Sequence, residues 1–145
     1  MLAAPDLVLG FASVLEANPN PSSSSGRLST YIENLECAFI LDPHSADICT
    51  CLGMAYAAKL DFHRSIEYLE RARRIDKNHF FAQFRYAELV SRLHALPRAE
   101  KEARHALRLA CSGWQFAMAH RQLKDIRRRM RSESSFARWL RKLPI

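Results

Sequence analysis

Two cysteines separated by a single residue, Cys49 and Cys51, are the first side chains in this sequence whose type and spacing could carry chemistry. Redox and zinc-binding cysteine pairs have at least two residues between them. On a helix these two thiols would also point about 200° apart, because each residue advances the chain by about 100°. We therefore expect the four cysteines of the chain to be free thiols, most of them buried, in a reducing compartment such as the cytoplasm.

Asp61, His63 and Glu67 are the best candidate cluster for acid–base catalysis. No other residues in the sequence pattern add a nucleophile or a further catalytic group to these three. An aspartate at the start of a helix is also typical of a cap. The six histidines lack metal-binding spacing, and the four glycines are too scattered for a phosphate-binding loop. The sequence therefore predicts no enzyme activity, no cofactor and no metal site.

Positive charge is concentrated near the end of the chain. Residues 121–142 hold nine basic and two acidic side chains, a net charge of +7 that equals the net charge of the whole sequence. Such a run can attract nucleic acid, an anionic membrane or an acidic protein, and it is also typical of a solvated helix face. The arginines that would contact a polyanion are Arg127, Arg128, Arg129 and Arg131.

Few residues favour turns, since only 4 of the 145 residues are glycine and 6 are proline. Together with abundant Ala, Leu, Arg and Glu, this composition favours an all-α fold. No apolar run in the sequence reaches the roughly 18–20 residues that a membrane-spanning helix needs. The predicted helices are Arg27–Leu41, Ala46–Ala58, Phe62–Ile75, Phe80–Arg92, Pro97–Ala110 and Trp114–Met130.

The sequence repeats itself at a step of 34 residues, which aligns Ala38 with Ala72 and Ala106. In the clearest unit, residues 46–79, Gly53 stands inside a predicted helix, where a glycine implies a packing reason, and Ala72 is one of the aligned alanines. The other residues of the motif in this unit are Cys49, Leu52, Tyr56, Ser65 and Leu69. This spacing predicts a series of packed helix pairs.

The motif resembles the tetratricopeptide repeat (TPR), in which W-x2-L-G-x2-Y is followed by A-x3-F, A and P. Cys49, Ser65, Leu69 and Lys77 depart from it. The resemblance implies a short α-α superhelical solenoid of about three helix pairs plus a C-terminal capping helix, over residues 3–130. Its units are 3–45 with an inserted flexible loop at 18–26, then 46–79 and 80–113, and the capping helix is 114–131.

A basic amphipathic segment, residues 132–145, follows the repeat domain. Ser134 and Ser135 could cap a short helix there, with Phe136 and Trp139 on its apolar stripe. Such a helix could bind an anionic surface or dock onto the last repeat. We expect docking, because the last apolar face of an array needs a cover.

The resemblance also implies a partner-binding groove lined by the first helix of each pair. Carried over residue by residue, the groove contacts are Thr50, Met54, Phe81, Phe84, Glu88 and Arg92, with flanking positions Leu7, Phe11, Val14, Ala57, Ala58, Ser91, Met118 and Gln122. An aromatic stripe is also typical of core packing, so Phe81 and Phe84 have two interpretations. Relatives that grip a terminal carboxylate have Lys or Asn at positions where only Arg85 is basic here, so that clamp is not supported.

The function that the resemblance implies is a cytoplasmic, non-enzymatic scaffold or adaptor that binds a protein or peptide segment in this groove. One alternative is a helical protein that binds nucleic acid or an anionic membrane surface through its Arg-rich end. Another is a secretion or assembly chaperone of TPR type, which would share the groove and differ only in its partner.

Overall fold

The computed structural model describes residues 21–140, apart from the side chains of 21–25, 138 and 140. In this range the regular structure is entirely helical, which confirms the all-α prediction. The helices are α1 (Pro21–Leu41), α2 (Ala46–Ala58), α3 (Phe62–Ile75), α4 (Phe80–Arg92), α5 (Leu96–Leu109) and α6 (Gly113–Leu140). The bounds of α2, α3 and α4 are those predicted. None of the six helices is both long enough and apolar enough to cross a membrane.

The 34-residue period is visible in the backbone of the loops. Leu60 follows α2 with a φ of 64°, and the next amide donates to a carbonyl of α2 at 2.9 Å. His94 repeats this geometry after α4, with a φ of 61° and a corresponding hydrogen bond of 3.2 Å. Asp42 and Asp76, in the loops before α2 and α4, each accept a hydrogen bond from the amide two residues on. Equivalent helices therefore end and begin through the same local turns.

Helices α2 and α3 cross at Gly53, as the repeat predicts. The Ser65 hydroxyl donates to the Gly53 carbonyl at 2.7 Å, and a Cβ placed on Gly53 would lie only 2.5 Å from Cγ of Leu69. The equivalents of these three residues in the next pair are fully buried alanines: Ala87, Ala99 and Ala103. Each crossing thus has two small residues in contact, Gly53 with Ser65 and their equivalents Ala87 with Ala99, which allows close backbone approach.

Helix α1 begins earlier than predicted. The sequence indicated a flexible loop over 18–26 and a helix from Arg27, but the helix already starts at Pro21. The loop prediction is therefore wrong for residues 21–26, and residues 3–20 of the first unit lie outside the described range. Proline suits the first turn of a helix because its φ is already near the helical value and its missing N–H would be unpaired there.

Helix α6 runs without a break through the point where a boundary was expected. The sequence predicted a capping helix over 114–131 and a separate segment over 132–145 with a new cap at Ser134 and Ser135, yet both serines lie inside α6. A serine costs a helix interior only about 0.5 kcal/mol relative to alanine, and no glycine or proline interrupts this stretch. The helix therefore continues.

The expected docking of this segment onto the last repeat is also wrong for the described residues. Phe136 and Trp139 are 59% and 54% exposed, and their rings stack on each other with centroids 5.8 Å apart. Because α6 is one unbroken helix, its last residues do not fold back as a separate segment. Residues 141–145 lie outside the described range.

Candidate functional site

The candidate acid–base cluster does not form an enclosed site. Asp61 caps α3, and its Oδ1 accepts a hydrogen bond from the Arg64 amide at 3.1 Å, which confirms its interpretation as a cap. His63 and Glu67 are exposed on the surface of α3, with His63 Nδ1 3.6 Å from Glu67 Oε1. These three side chains therefore have structural or solvated roles.

The cysteines are free, but only two of the four are buried. Burial raises the pKa of the Cys51 thiol to about 11 and also raises the pKa of Cys49. Both thiols stay protonated near neutral pH and are poor nucleophiles. Cys37 and Cys111 are exposed. Among residues 21–140, no group of three or more His, Cys, Asp or Glu side chains is placed to hold a metal ion.

Helices α2, α4 and α6 line two neighbouring cavities. Helix α2 and helix α4 border a cavity of about 160 Å³, and α4 and α6 border a larger cavity of about 500 Å³. Three residues of α4, Arg85, Glu88 and Arg92, line both cavities, which therefore lie side by side. We call the two cavities together the α2–α4–α6 groove.

The floor of the groove is apolar. In the smaller cavity, Ala57 and Ala58 leave room because their side chains are small, and Leu69 and Leu89 add apolar surface. In the larger cavity, Phe84 and Ile126 are buried beneath the opening. A floor of this kind can accept the apolar side chains of a partner.

The two carboxylates that line the larger cavity are already paired. Glu88 pairs with Arg85 at 2.8 Å, and Asp125 pairs with Arg128 at 3.0 Å. Two buried polar atoms in the described part of the chain, Arg85 Nε and Gln122 Oε1, have no hydrogen-bond partner, and both residues line this cavity. Buried polar atoms are rarely left unpaired, so this wall is polar but incompletely satisfied.

Three further arginines line the larger cavity. Arg129 donates to the hydroxyl and the carbonyl of Ser91, at 2.7 and 3.2 Å. The guanidinium of Arg92 lies over the Phe62 ring, 5.3 Å from its centroid. Arg121 is exposed on α6. The groove therefore combines an apolar floor with a positively charged rim.

Four of the six predicted groove contacts line this groove, namely Met54, Phe84, Glu88 and Arg92. Thr50 lines neither cavity; it is buried, and its hydroxyl donates to the Ala46 carbonyl at 2.7 Å. Phe81 is half-buried and packs against Trp114, with ring centroids 5.7 Å apart. Met54 and Phe84 are themselves buried, so they belong to the floor rather than to an exposed surface.

Of the flanking positions, five line the groove: Ala57, Ala58, Ser91, Met118 and Gln122. The positions Leu7, Phe11 and Val14 lie outside the described residues. The sequence reasoning missed Arg121, Asp125 and Ile126. Their spacing from Met118 carried the signal, because residues three, seven and eight positions along a helix share one face.

The arginines proposed as polyanion contacts are mostly engaged within the fold. Arg127 pairs with Glu100 at 2.8 Å, Arg128 pairs with Asp125, and Arg129 binds Ser91 in the groove. Arg131 is exposed and has no partner among the described residues. Nucleic acid or an anionic membrane would therefore compete with the ion pairs of Arg127 and Arg128.

No protein-family model matches the sequence, and no curated protein is similar to it. Solved structures do match. The first TPR domain of human RPAP3 has a TM-score of 0.69 at 18% identity. The match covers 91% of this chain and 95% of the RPAP3 domain. The first TPR of Spaghetti (RPAP3), bound to the HSP90 peptide SRMEEVD, has a TM-score of 0.66 at 16% identity. The match covers 89% of this chain and 98% of that one.

A third similar structure is the Yersinia enterocolitica type III secretion chaperone SycD in complex with a peptide of the translocator YopD. Its TM-score is 0.65 at 17% identity, and the match covers 86% of this chain and 91% of that one. Similarity at this level of identity identifies a fold. The chain therefore has the fold of tetratricopeptide-repeat domains.

Proposed function

We propose that this protein is a non-enzymatic scaffold that binds a segment of a partner protein in the α2–α4–α6 groove. The observation that carries the proposal is that two neighbouring cavities, lined by three helices, share Arg85, Glu88 and Arg92. A groove that crosses three helices offers a path for an extended or helical segment, with apolar pockets beneath and polar groups beside it. Its four free thiols fit a reducing compartment such as the cytoplasm.

Similar folds support the proposal, because two of the three structures described above hold a bound peptide. An adaptor and an assembly chaperone would use this groove in the same way and differ only in the partner. The proposal therefore concerns the binding surface and covers both interpretations.

The Ala58→Trp variant tests the groove directly. A peptide is first selected from a library of short random peptides on the immobilised full chain, and its Kd is measured by fluorescence anisotropy. Ala58 is exposed and lines the smaller cavity, so tryptophan there fills space that the peptide needs. We expect binding to weaken by about tenfold or more, which corresponds to about 1.4 kcal/mol.

Ala117→Trp is the matched control, because Ala117 is exposed on α6 and lines neither cavity. We expect both variants to melt close to the wild-type temperature. Selection of no peptide at all, or equal loss of binding in the two variants, would contradict the proposed function.

A further inference from the structure

We infer that the segment bound in the α2–α4–α6 groove is an acidic stretch that carries one bulky apolar residue. This inference rests on the proposed function and adds the chemistry of the partner. It depends on the charges of the groove rim and on the size of the smaller cavity.

The rim has three arginines that no carboxylate neutralises. Among the described residues, Arg92 and Arg121 have no ion-pair partner, and Arg129 is bonded to the neutral Ser91. A guanidinium has five N–H donors, so Arg129 keeps three after its two bonds to Ser91. Carboxylates are the complementary groups, because Arg binds them through two parallel hydrogen bonds.

The positions of these arginines call for more than one acidic residue. Arg121 and Arg129 are eight residues apart on α6, which corresponds to about 12 Å along the helix axis. One carboxylate cannot span that distance, so the two arginines would bind different acidic side chains. Arg92 faces both cavities and can bind an acidic residue near the apolar anchor.

The smaller cavity accommodates the anchor. An apolar cavity of about 150 Å³ is large enough to hold benzene. The cavity walled by Gly53, Ala57 and Ala58 has about 160 Å³ and so has room for one phenylalanine or leucine side chain. This pocket favours a peptide side chain over a nucleic-acid duplex, because the bases of a duplex are stacked inside it and reach a pocket only by flipping out.

The test extends the peptide selection to charge-reversed proteins. We expect peptides selected on the wild-type chain to contain two or more Asp or Glu residues and one bulky apolar residue. Arg121→Glu should weaken their binding by about tenfold and Arg92→Glu with Arg121→Glu by about 100-fold. Both arginines are exposed, so circular dichroism should show unchanged folding.

Lys124→Glu is the matched control, because Lys124 is exposed on the same helix and lines neither cavity. It should change the Kd by less than Arg121→Glu, and the doubly reversed protein should select basic peptides instead. Selected peptides that are neutral or basic, or equal effects of the two single variants, would overturn this inference while leaving the proposed function intact. A short RNA that binds with the same dependence on Arg92 and Arg121, where no peptide binds, would overturn both.

Discussion

Replacing Gly53 with leucine should lower the free energy of unfolding by about 3 kcal/mol or more, the upper range for an overpacked core. A Cβ at this position would lie 2.5 and 2.9 Å from Cγ and Cδ2 of Leu69 and 3.3 Å from the Ser65 carbonyl oxygen. Leu69 is only 1% exposed and cannot swing away without opening the core. Denaturant unfolding followed by circular dichroism measures the loss.

Gly26→Leu is the matched control, since Gly26 is also helical but no neighbouring atom lies within 4 Å of the added Cβ. We expect this variant to be neutral or to gain up to about 1 kcal/mol from better helix propensity. If Gly53→Leu leaves stability unchanged, the crossing of α2 and α3 described above is wrong.

Leu69→Ala should lower the free energy of unfolding by about 3 kcal/mol, because it removes a buried side chain from the core cluster that also contains Tyr86 and Leu89. The same change removes the atoms that a side chain at position 53 would meet. Gly53→Ala should therefore destabilise the wild-type protein but be neutral or stabilising in the Leu69→Ala background. A double-mutant cycle measures this reversal as a coupling of about 1 kcal/mol or more.

Leu93→Ala is the control for Leu69→Ala, since Leu93 is 42% exposed. Replacing it should change the free energy of unfolding by less than about 0.5 kcal/mol. Additive effects of the substitutions at positions 53 and 69 would show that the two residues are not in contact.

The fold was largely predictable because a repeat carries the same signals more than once. The bounds of α2, α3 and α4 follow from capping residues, apolar periodicity and the loops between them. The role of Gly53 follows from its place inside a helix, where glycine needs a packing reason. Equivalent loops at Leu60 and His94 then share one geometry although their residues differ.

The groove was less predictable, because its rim depends on helices that meet only in three dimensions. Arg129 belongs to a basic run in the sequence, yet it binds Ser91 on α4. A similar bridge joins Arg73 on α3 and Gln83 on α4 through Glu102 on α5, at 2.9 and 2.8 Å. No spacing rule along the chain predicts such contacts. The continuation of α6 was missed for a different reason, since serines that can cap a helix can also lie within one.

The most direct test of the account is to map the bound peptide on the isotope-labelled protein by nuclear magnetic resonance. On titration with the selected peptide, we expect amide signals to shift along α4 and α6, including Glu88, Arg92, Gln122 and Arg129, which line the larger cavity. Signals of the exposed Lys101 and Arg104 on α5 should stay in place. Shifts confined to α5, or to the exposed end of α6 around Phe136 and Trp139, would contradict partner binding in the α2–α4–α6 groove.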